Sequence, residues 1–200
     1  MFYYKIILMF TPLFSIVFTS DEYESLHPLH RDQLELVRRA AAAKYEYVFP
    51  IQFLTLPKIL CPPYISLIAQ AQGGAGKTAA FMMGTLAKID TRCNFTQVVC
   101  LGITRELVIQ IVNDAIVPLS SHFDQPITYD LIVQEFQPPD KEVVNKCEKH
   151  IVIGTPGRIA SLLNHNRAYL RLGKVHTFIL DEADTFISRE KSDIGDQVIK

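Results

Sequence analysis

The sequence AQGGAGKT, from Ala71 to Thr78, decides the fold of this chain. A short apolar run, residues 65–69, precedes it, and the segment AAFMMGTLAKI follows it with helical spacing. The order strand, glycine loop and helix is the setting of a phosphate-binding loop, because glycines permit the sharp turn and the helix N-terminus attracts an anion. The usual pattern G-x-x-x-x-G-K-[ST] fails only at Ala71. A glycine-rich turn that binds nothing fits these flanks less well.

The residues of this loop have separate expected roles. The expected phosphate cradle is the backbone of Gly73, Gly74, Ala75 and Gly76. Lys77 is expected to reach the β- and γ-phosphates, and Thr78 to offer its hydroxyl to Mg²⁺.

Composition indicates a globular chain. The 200 residues are 48% hydrophobic and 20% charged, which suits one α/β domain of ordinary size. The net charge of −1 gives no electrostatic sign of a nucleic-acid partner, so such a face must depend on individual residues. The cysteines are Cys61, Cys93, Cys100 and Cys147, and no two form a C-x-x-C pair. We expect them to be free thiols of a reducing compartment.

The first twenty residues, MFYYKIILMFTPLFSIVFTS, are predicted to lie outside the fold. Their apolar run has the length of a secretory signal, but Phe18 stands close to the expected cleavage point and Pro12 would kink a membrane helix. Two interpretations remain open, a signal-like or anchor segment and a non-native extension, and we favour the second. The expected domains are therefore residues 1–20 and residues 21–200.

Apolar runs and helical segments alternate along the rest of the chain. The expected strands are residues 65–69, 97–101, 127–133, 150–154 and 175–180. The expected helices are residues 31–44, a segment from Pro50 that Pro57 bends or ends, and residues 104–119, 140–148 and 157–164. The alternation predicts an α/β fold of three layers, with a parallel sheet covered by helices on both faces. Ligands of such sheets gather at the carboxyl ends of the strands.

Three acids, Asp181, Glu182 and Asp184, directly follow the last predicted strand. Burying them together without a cation would be costly, and a magnesium–nucleotide complex supplies one. Asp181 is expected to hold Mg²⁺ through water, and Glu182 to orient and deprotonate an attacking water. We predict that Lys77 and Asp181 lie at the same rim of one sheet, with the phosphates between them. A solvated acidic turn is the weaker alternative.

Five motifs in chain order resemble those of the DEAD-box ATP-dependent RNA helicases, specifically their first RecA-like domain. FPIQ, ending at Gln52, is similar to the end of the Q motif, and AQGGAGKT to motif I. ITREL, residues 103–107, is similar to motif Ia, TPGR, residues 155–158, to motif Ib, and DEAD to motif II. The runs CPPYISLIAQ and IAQAQGGAGKTAAF and the tail SDIGDQVIK are similar to the mRNA-export branch at the nuclear pore. The resemblance covers residues 23–200.

The resemblance implies ATP and Mg²⁺ as cofactors and RNA as partner. Gln52 would hydrogen-bond the adenine edge, and Lys77, Asp181 and Glu182 would carry the hydrolysis of ATP. The residues implied to bind the RNA sugar–phosphate backbone, without base specificity, are Thr104, Arg105, Thr155, Gly157 and Arg158. The implied function is RNA remodelling driven by ATP hydrolysis, in mRNA export. The implied location is the cytoplasm and nucleus, at the nuclear pore, with mRNA-export or nuclear-pore factors as partners.

The sequence also departs from the family. Val48 and Phe49 replace the Pro and Ser/Thr of the Q motif, Ile103 replaces the Pro of motif Ia, and Gly73 and Ala75 replace loop hydroxyls. The SAT motif, which normally partners the last acid of DEAD, and the second RecA-like domain do not occur within these 200 residues.

From these 200 residues alone we expect weak nucleotide and RNA binding and negligible unwinding, so whether this chain is itself an enzyme stays open. The alternative function is a truncated, non-catalytic paralogue that binds RNA or a partner. A small-molecule P-loop kinase or a transporter ATPase fits ITREL and TPGR poorly.

Overall fold

The protein is described by a computed structural model. The described residues are 20–45, 48–133, 147–165, 169–170 and 172–188. They divide into two compact units. The described residues of Met1–Asp90 and Asn113–Pro126 form the helical unit, and those of Thr91–Val112 and Ile127–Lys200 form the sheet unit.

The helical unit contains five described α-helices. They are α1 (Ser20–Ser25), α2 (Pro28–Lys44), α3 (Pro50–Leu60), α4 (Lys77–Leu86) and, after the sheet unit's first helix, α6 (Val117–Leu119). Prolines at the first turn of α2 and α3 suit these positions, because a missing N–H costs no hydrogen bond there. The fully buried side chains of this unit include Val37, Leu56, Leu60, Met82, Met83 and Leu86.

The sheet unit contains a four-stranded parallel sheet. Its strands are β1 (Val98–Leu101), β2 (Tyr129–Ile132), β3 (Ile151–Gly154) and β4 (Thr177–Leu180), in the spatial order β2-β3-β1-β4. Its helices are α5 (Arg105–Ile111), α7 (Pro156–His165) and α8 (Ala183–Ser188). All residues of β1 and β3 are buried, as expected for central strands of a parallel sheet. The prediction of an α/β fold with a parallel sheet is confirmed.

One face of this sheet packs against α7. The buried cluster on that side comprises Val99, Leu101, Ile132, Cys147, Val152, Ile159, Leu162, Tyr169 and Leu170. Strand residues of this cluster alternate with those of the other face, which also carries buried residues such as Cys100 and Ile153. The cluster holds the carboxyl ends of the strands in a fixed register.

Several predicted elements are confirmed with small shifts of their ends. The strands predicted at residues 97–101, 127–133, 150–154 and 175–180 correspond to β1, β2, β3 and β4. The helices predicted at residues 31–44, from Pro50 and at residues 157–164 correspond to α2, α3 and α7.

The strand predicted at residues 65–69 is wrong. These residues are in no strand or helix, and Ile68 is 97% exposed. An apolar run becomes a strand only when another strand pairs with it, and no such pairing occurs among the described residues. The phosphate loop therefore follows an irregular segment in the helical unit, not a strand of the sheet.

The helix predicted at residues 104–119 needs correction, and of the two effects predicted for Pro57 the structure excludes one. Pro57 does not end α3, which continues to Leu60, and the N–H of Cys61 still bonds to the carbonyl of Pro57 at 2.8 Å. The single helix predicted at residues 104–119 is α5, a π-helical turn over Val112–Ile116, and α6. The chain passes from the sheet unit to the helical unit within that turn.

Two further predictions lie on residues whose structure is not described. The extension of residues 1–20 falls there except for its last residue, and so does most of the helix predicted at residues 140–148. Among the described residues, no helix is long and apolar enough to cross a membrane.

Candidate functional site

The phosphate loop has the backbone that its glycines predict. Gly74 has φ +74° and Gly76 has φ +80°, both in the left-handed region that favours glycine. A Cβ added to Gly73 or Gly74 would meet nothing within 4 Å, so there is open space beside both residues. Helix α4 starts at Lys77, directly after Gly76, and its N-terminal amides add positive potential at the loop.

Lys77 is held by the loop itself. Its Nζ donates hydrogen bonds to the carbonyl oxygens of Ala71 at 2.6 Å and Gln72 at 2.9 Å. Both acceptors are neutral, so an incoming phosphate, which is charged, would be the stronger partner. Thr78 follows in the first turn of α4, where the loop motif places its hydroxyl.

Gln52 lies beside this loop rather than apart from it. Its side chain is only 3% exposed, and its Oε1 accepts a hydrogen bond from the N–H of Phe49 at 3.0 Å. A Cβ on Gly76 would lie 2.9 Å from Nε2 of Gln52 and 2.9 Å from Cδ2 of Phe49. The helical unit therefore brings Gln52, Phe49 and the phosphate loop together.

The remaining predicted residues belong to the sheet unit, at the carboxyl ends of the strands. Leu101 is paired with both Gly154 and Leu180, so β3, β1 and β4 end level with one another. The residues that follow, Thr155 and Asp181, therefore emerge at the same edge. The register is extended by the N–H of Asp181, which donates to the carbonyl of Leu101 at 3.0 Å.

Gly154 fixes the end of β3. A Cβ at this position would lie 2.4 Å from the carbonyl oxygen of Ile132 on β2, which only glycine avoids. The β2 and β3 backbones can therefore stay in contact up to the point where the chain turns into α7. Gly154 could not be recognised from the sequence, because it belongs to no motif and its contact depends on the strand register.

The acids after β4 have different surroundings. Asp181 is 6% exposed, and its Oδ1 accepts a hydrogen bond from the N–H of Glu182 at 3.1 Å. Glu182 and Asp184 are exposed, so the cluster is not buried as a whole. Burial, together with the nearby charge of Asp181, raises the pKa of the Cys100 thiol on β1.

Glu182 has an unusual backbone. Its φ is +56°, in the left-handed region that non-glycine residues rarely adopt. This conformation turns the chain sharply between β4 and α8, and the Glu182 side chain is exposed there. The left-handed backbone of Glu182 could not be predicted from the sequence, because glutamate rarely adopts this conformation.

Thr104 and Arg105 stand where the chain leaves β1. Thr104 is the N-cap of α5, and its Oγ1 accepts a hydrogen bond from the N–H of Leu107 at 3.2 Å. Both residues are exposed, and Arg105 lies in the first turn. This cap fixes the start of α5.

Thr155, Gly157 and Arg158 stand where the chain leaves β3. The carbonyl of Thr155 accepts hydrogen bonds from the N–H groups of Arg158 and Ile159, at 3.1 and 3.0 Å, and so starts α7. A Cβ on Gly157 would meet nothing within 4 Å, which leaves its backbone accessible to a ligand. Nε of Arg158 donates to the carbonyl of Val133 at 3.3 Å.

The side chains present suit Mg²⁺ only when phosphate oxygens supply its other ligands. No group of three or more His, Cys, Asp or Glu residues that could hold a metal occurs in the described part of the chain. Mg²⁺ in nucleotide sites is commonly bound by one or two protein groups and by phosphate oxygens. One buried carboxylate, Asp181, fits that arrangement. Lys77 and Asp181 lie in different units, and their predicted common rim stays a prediction.

Comparison with known proteins gives a consistent result. A family model described as DEAD/DEAH box helicase matches residues 49–200. The ATP-dependent RNA helicase DBP5 of Eremothecium gossypii is 38% identical over 167 residues, which are 83% of this chain and 33% of that protein. DBP5 of Scheffersomyces stipitis is 33% identical over 190 residues, 95% of this chain and 34% of that protein. The chain thus spans about a third of the length of these curated relatives.

The chain is also similar to solved structures of Dbp5. S. cerevisiae Dbp5 bound to RNA and ADP BeF3 is similar with a TM-score of 0.70 and 30% identity, over 90% of this chain and 41% of that one. A variant of S. cerevisiae Dbp5 bound to Nup159, a Gle1 variant, IP6 and ADP gives a TM-score of 0.71 at 30% identity, over 87% of this chain and 42% of that one.

Proposed function

The chain belongs to the DEAD/DEAH box helicase family, and from this premise we propose that it is the ATP- and RNA-binding first RecA-like domain of an RNA helicase. In the complete reaction, hydrolysis of ATP is coupled to RNA remodelling. The two units supply different groups: the helical unit carries the phosphate loop, and the sheet unit carries the acids and the RNA-facing residues.

The phosphate loop binds the triphosphate. The backbone N–H groups of Gly73, Gly74, Ala75 and Gly76 donate hydrogen bonds to the phosphate oxygens. Lys77 exchanges its bonds to the loop carbonyls for bonds to the same oxygens. Gln52 belongs to this site because its amide packs against Gly76.

The acids of the sheet unit carry out the hydrolysis. When bound, Mg²⁺ neutralises charge on the phosphates, and Thr78 and Asp181 are the protein groups that would hold it. Asp181 is kept in place by its backbone bond to Leu101 and by the N–H of Glu182. Glu182 takes the proton of the attacking water, and its exposed carboxylate is free to face solvent.

The edge of the sheet binds RNA through its backbone. Arg105 and Arg158 supply charge, and Gly157 allows close approach of a phosphate. Thr104 and Thr155 complete the set at the ends of β1 and β3. Such contacts carry no base specificity and make binding sensitive to salt.

We further propose a role in mRNA export at the nuclear pore, in the cytoplasm and nucleus. Support comes from the identity with DBP5 proteins over most of this chain and from the solved Dbp5 complex with Nup159 and Gle1. The proposed partners are accordingly RNA and nuclear-pore or mRNA-export factors.

The observation that carries the proposal is the common register of β3, β1 and β4. It supports the proposal because Asp181 and the segments with the proposed RNA-binding residues follow strands that end at one edge. The test is equilibrium binding by the 200-residue chain. We expect it to bind Mg²⁺–ATP by calorimetry and a short fluorescent oligouridylate by anisotropy. A folded chain that binds neither ligand would contradict the proposal.

A second function, a non-catalytic RNA- or partner-binding module, is favoured by the loop's lack of hydroxyls at Gly73 and Ala75. RNA-stimulated release of phosphate separates the two. Turnover above background, lost in Glu182→Gln, supports the helicase function. RNA binding without any ATP binding supports the module.

A further inference from the structure

A carboxylate of β2 lies on the apolar face of the sheet that packs against α7. Asp130 stands two residues before Ile132, a member of the buried cluster, and alternation along the strand places both side chains on that face. The residue opposite Asp130 on β3 is Val152, which is fully buried in the same cluster. A carboxylate among such neighbours is costly unless it accepts hydrogen bonds, so its donors decide what it does.

Two buried donors from different segments meet one oxygen of this carboxylate. The hydroxyl of Tyr169 donates to Oδ2 of Asp130, and the thiol of Cys147 donates to the same oxygen at 3.4 Å. The N–H of Cys147 also donates to the carbonyl of Tyr169 at 2.8 Å. We name these three residues the Asp130 clasp, because they tie two connecting segments to each other and to β2.

The Asp130 clasp joins the two ends of one chain segment. Cys147 lies shortly before β3, and Tyr169 lies shortly after the last residue of α7, His165. The segment made of β3 and α7 therefore begins and ends at the same carboxylate. Because only three residues separate Tyr169 from α7, the clasp limits where the C-terminal end of this helix can lie.

The N-terminal end of α7 is also attached to the chain of β2. Nε of Arg158 donates to the carbonyl oxygen of Val133, directly after β2, at 3.3 Å. Between the two attachments, Ile159 and Leu162 pack in the buried cluster. These contacts together fix the tilt of α7. Release of the C-terminal attachment would let the helix turn about its packed middle and would move the opposite end.

We propose that Asp130 and Tyr169 are positioning residues for the start of α7, where Thr155, Gly157 and Arg158 belong to the proposed RNA site. The inference rests on that proposed site. The two residues act through the tilt of α7, from the end of the helix remote from the RNA. Loss of the Asp130 clasp should therefore weaken the RNA contacts without removing any of their groups, and it should leave the phosphate loop in the other unit unaffected.

The test compares RNA and Mg²⁺–ATP as separate ligands of the 200-residue chain. Tyr169→Phe keeps the ring and removes the donor. We expect it to weaken binding of a short fluorescent oligouridylate by roughly two- to fivefold, less than the loss of a whole charge-assisted hydrogen bond, and to leave Mg²⁺–ATP affinity unchanged. Asp130→Leu removes the acceptor and should have the same effect. Asp130→Asn, whose amide oxygen can still accept the Tyr169 hydroxyl, should retain wild-type affinity for both ligands.

A double variant separates a positioning role from a merely structural one. In the Arg158→Ala background, Tyr169→Phe should lose most of its effect on RNA affinity, because the contact that it displaces is already absent. The same effect of Tyr169→Phe with and without the Arg158 side chain would overturn the inference. An equal loss of affinity for RNA and for Mg²⁺–ATP in Tyr169→Phe would also overturn it, since that result indicates general damage to the fold.

Tyr129→Phe is the matched control. Tyr129 directly precedes Asp130 on β2, so its side chain points to the opposite face of the sheet. We expect this variant to keep both affinities, and a loss of RNA affinity equal to that of Tyr169→Phe would overturn the inference. Circular dichroism shows whether each variant is folded, and if Tyr169→Phe is not, Asp130→Asn and Asp130→Leu decide.

The outcomes for the wild type keep the inference apart from the proposed function. If the wild type binds Mg²⁺–ATP but no RNA, the proposed RNA site fails and the inference fails with it. If the wild type binds RNA and folded Tyr169→Phe binds it equally well, the inference alone is overturned and the proposed RNA site stands.

Discussion

Nζ of Lys77 donates a hydrogen bond to the carbonyl oxygen of Ala71 at 2.6 Å, so the lysine is held by the backbone of its own phosphate loop. A bound triphosphate replaces this neutral acceptor with a charged one. Lys77→Ala should therefore weaken Mg²⁺–ATP by roughly 10- to 100-fold, the range of a charge-assisted hydrogen bond. Calorimetry measures this. Lys58→Ala, an exposed lysine of α3, is the control and should change nothing; unchanged affinity in Lys77→Ala would exclude the phosphate-loop assignment.

Asp181→Asn should abolish the Mg²⁺ dependence of ATP binding. The amide retains an oxygen that can accept the N–H of Glu182, so the turn after β4 should survive, but it lacks the charge that holds the metal. The measurement is ATP affinity in Mg²⁺ and in EDTA. Asp124→Asn, an exposed residue of the helical unit, should keep the full dependence. An undiminished effect of Mg²⁺ in Asp181→Asn would rule out this metal ligand.

Arg158→Ala should weaken RNA binding and reduce its salt dependence. One lost phosphate contact lowers the slope of log affinity against log salt by about 0.7 for single-stranded RNA. Anisotropy over a series of KCl concentrations gives the slope. Arg39→Ala, which removes an exposed arginine paired with Glu35 on α2, should leave the slope unaltered. Equal slopes for Arg158→Ala and the wild type would place Arg158 outside the RNA site.

Gly154→Ala should destabilise the protein by about 1–3 kcal/mol, because the new methyl would lie against the carbonyl of Ile132 and push β2 from β3. Urea unfolding followed by circular dichroism measures the difference. Gly157→Ala is the matched control three residues later, where an added Cβ meets nothing within 4 Å, and its effect should stay within about 0.5 kcal/mol. Equal stabilities of the two variants would contradict the β2–β3 register.

The sequence was sufficient for elements and residues whose determinants are local. Continuous apolar runs predicted β1 and β3, since strands of a buried parallel sheet are apolar on both faces. The carboxyl-edge rule then predicted correctly that Asp181 and Thr155 follow strands that end at the same edge of the sheet, one on each side of β1.

Features decided by contacts between distant segments could not be predicted. The run at residues 65–69 has the composition of β3, but strand formation requires a partner. The packing of Phe49 on Gly76 depends on how α3 and α4 approach each other. The left-handed backbone of Glu182 is imposed by the turn from β4 into α8, against the residue's own preference.

Tyr169→Phe should destabilise the protein by about 1–3 kcal/mol, because it leaves a partly buried carboxylate oxygen with only the weak thiol donor of Cys147. The hydroxyl of buried Tyr169 donates to Oδ2 of Asp130 on β2, and the thiol of Cys147 lies 3.4 Å from the same oxygen. Burial and, next, the hydrogen bond to Asp130 raise the pKa of Tyr169 above its usual 10.0. A folded state with the higher pKa holds the proton more tightly than the unfolded chain, so this stability is fully present below about pH 10 and is lost as the pH rises further. Urea unfolding at pH 7 and at pH values above 10 gives the free energy of unfolding of wild type and variant. We expect the difference between the two to become smaller as the pH rises above 10. Tyr129→Phe, which changes a half-buried tyrosine of β2, is the control. A difference between wild type and Tyr169→Phe that stays the same in alkali would contradict the role of the phenol proton.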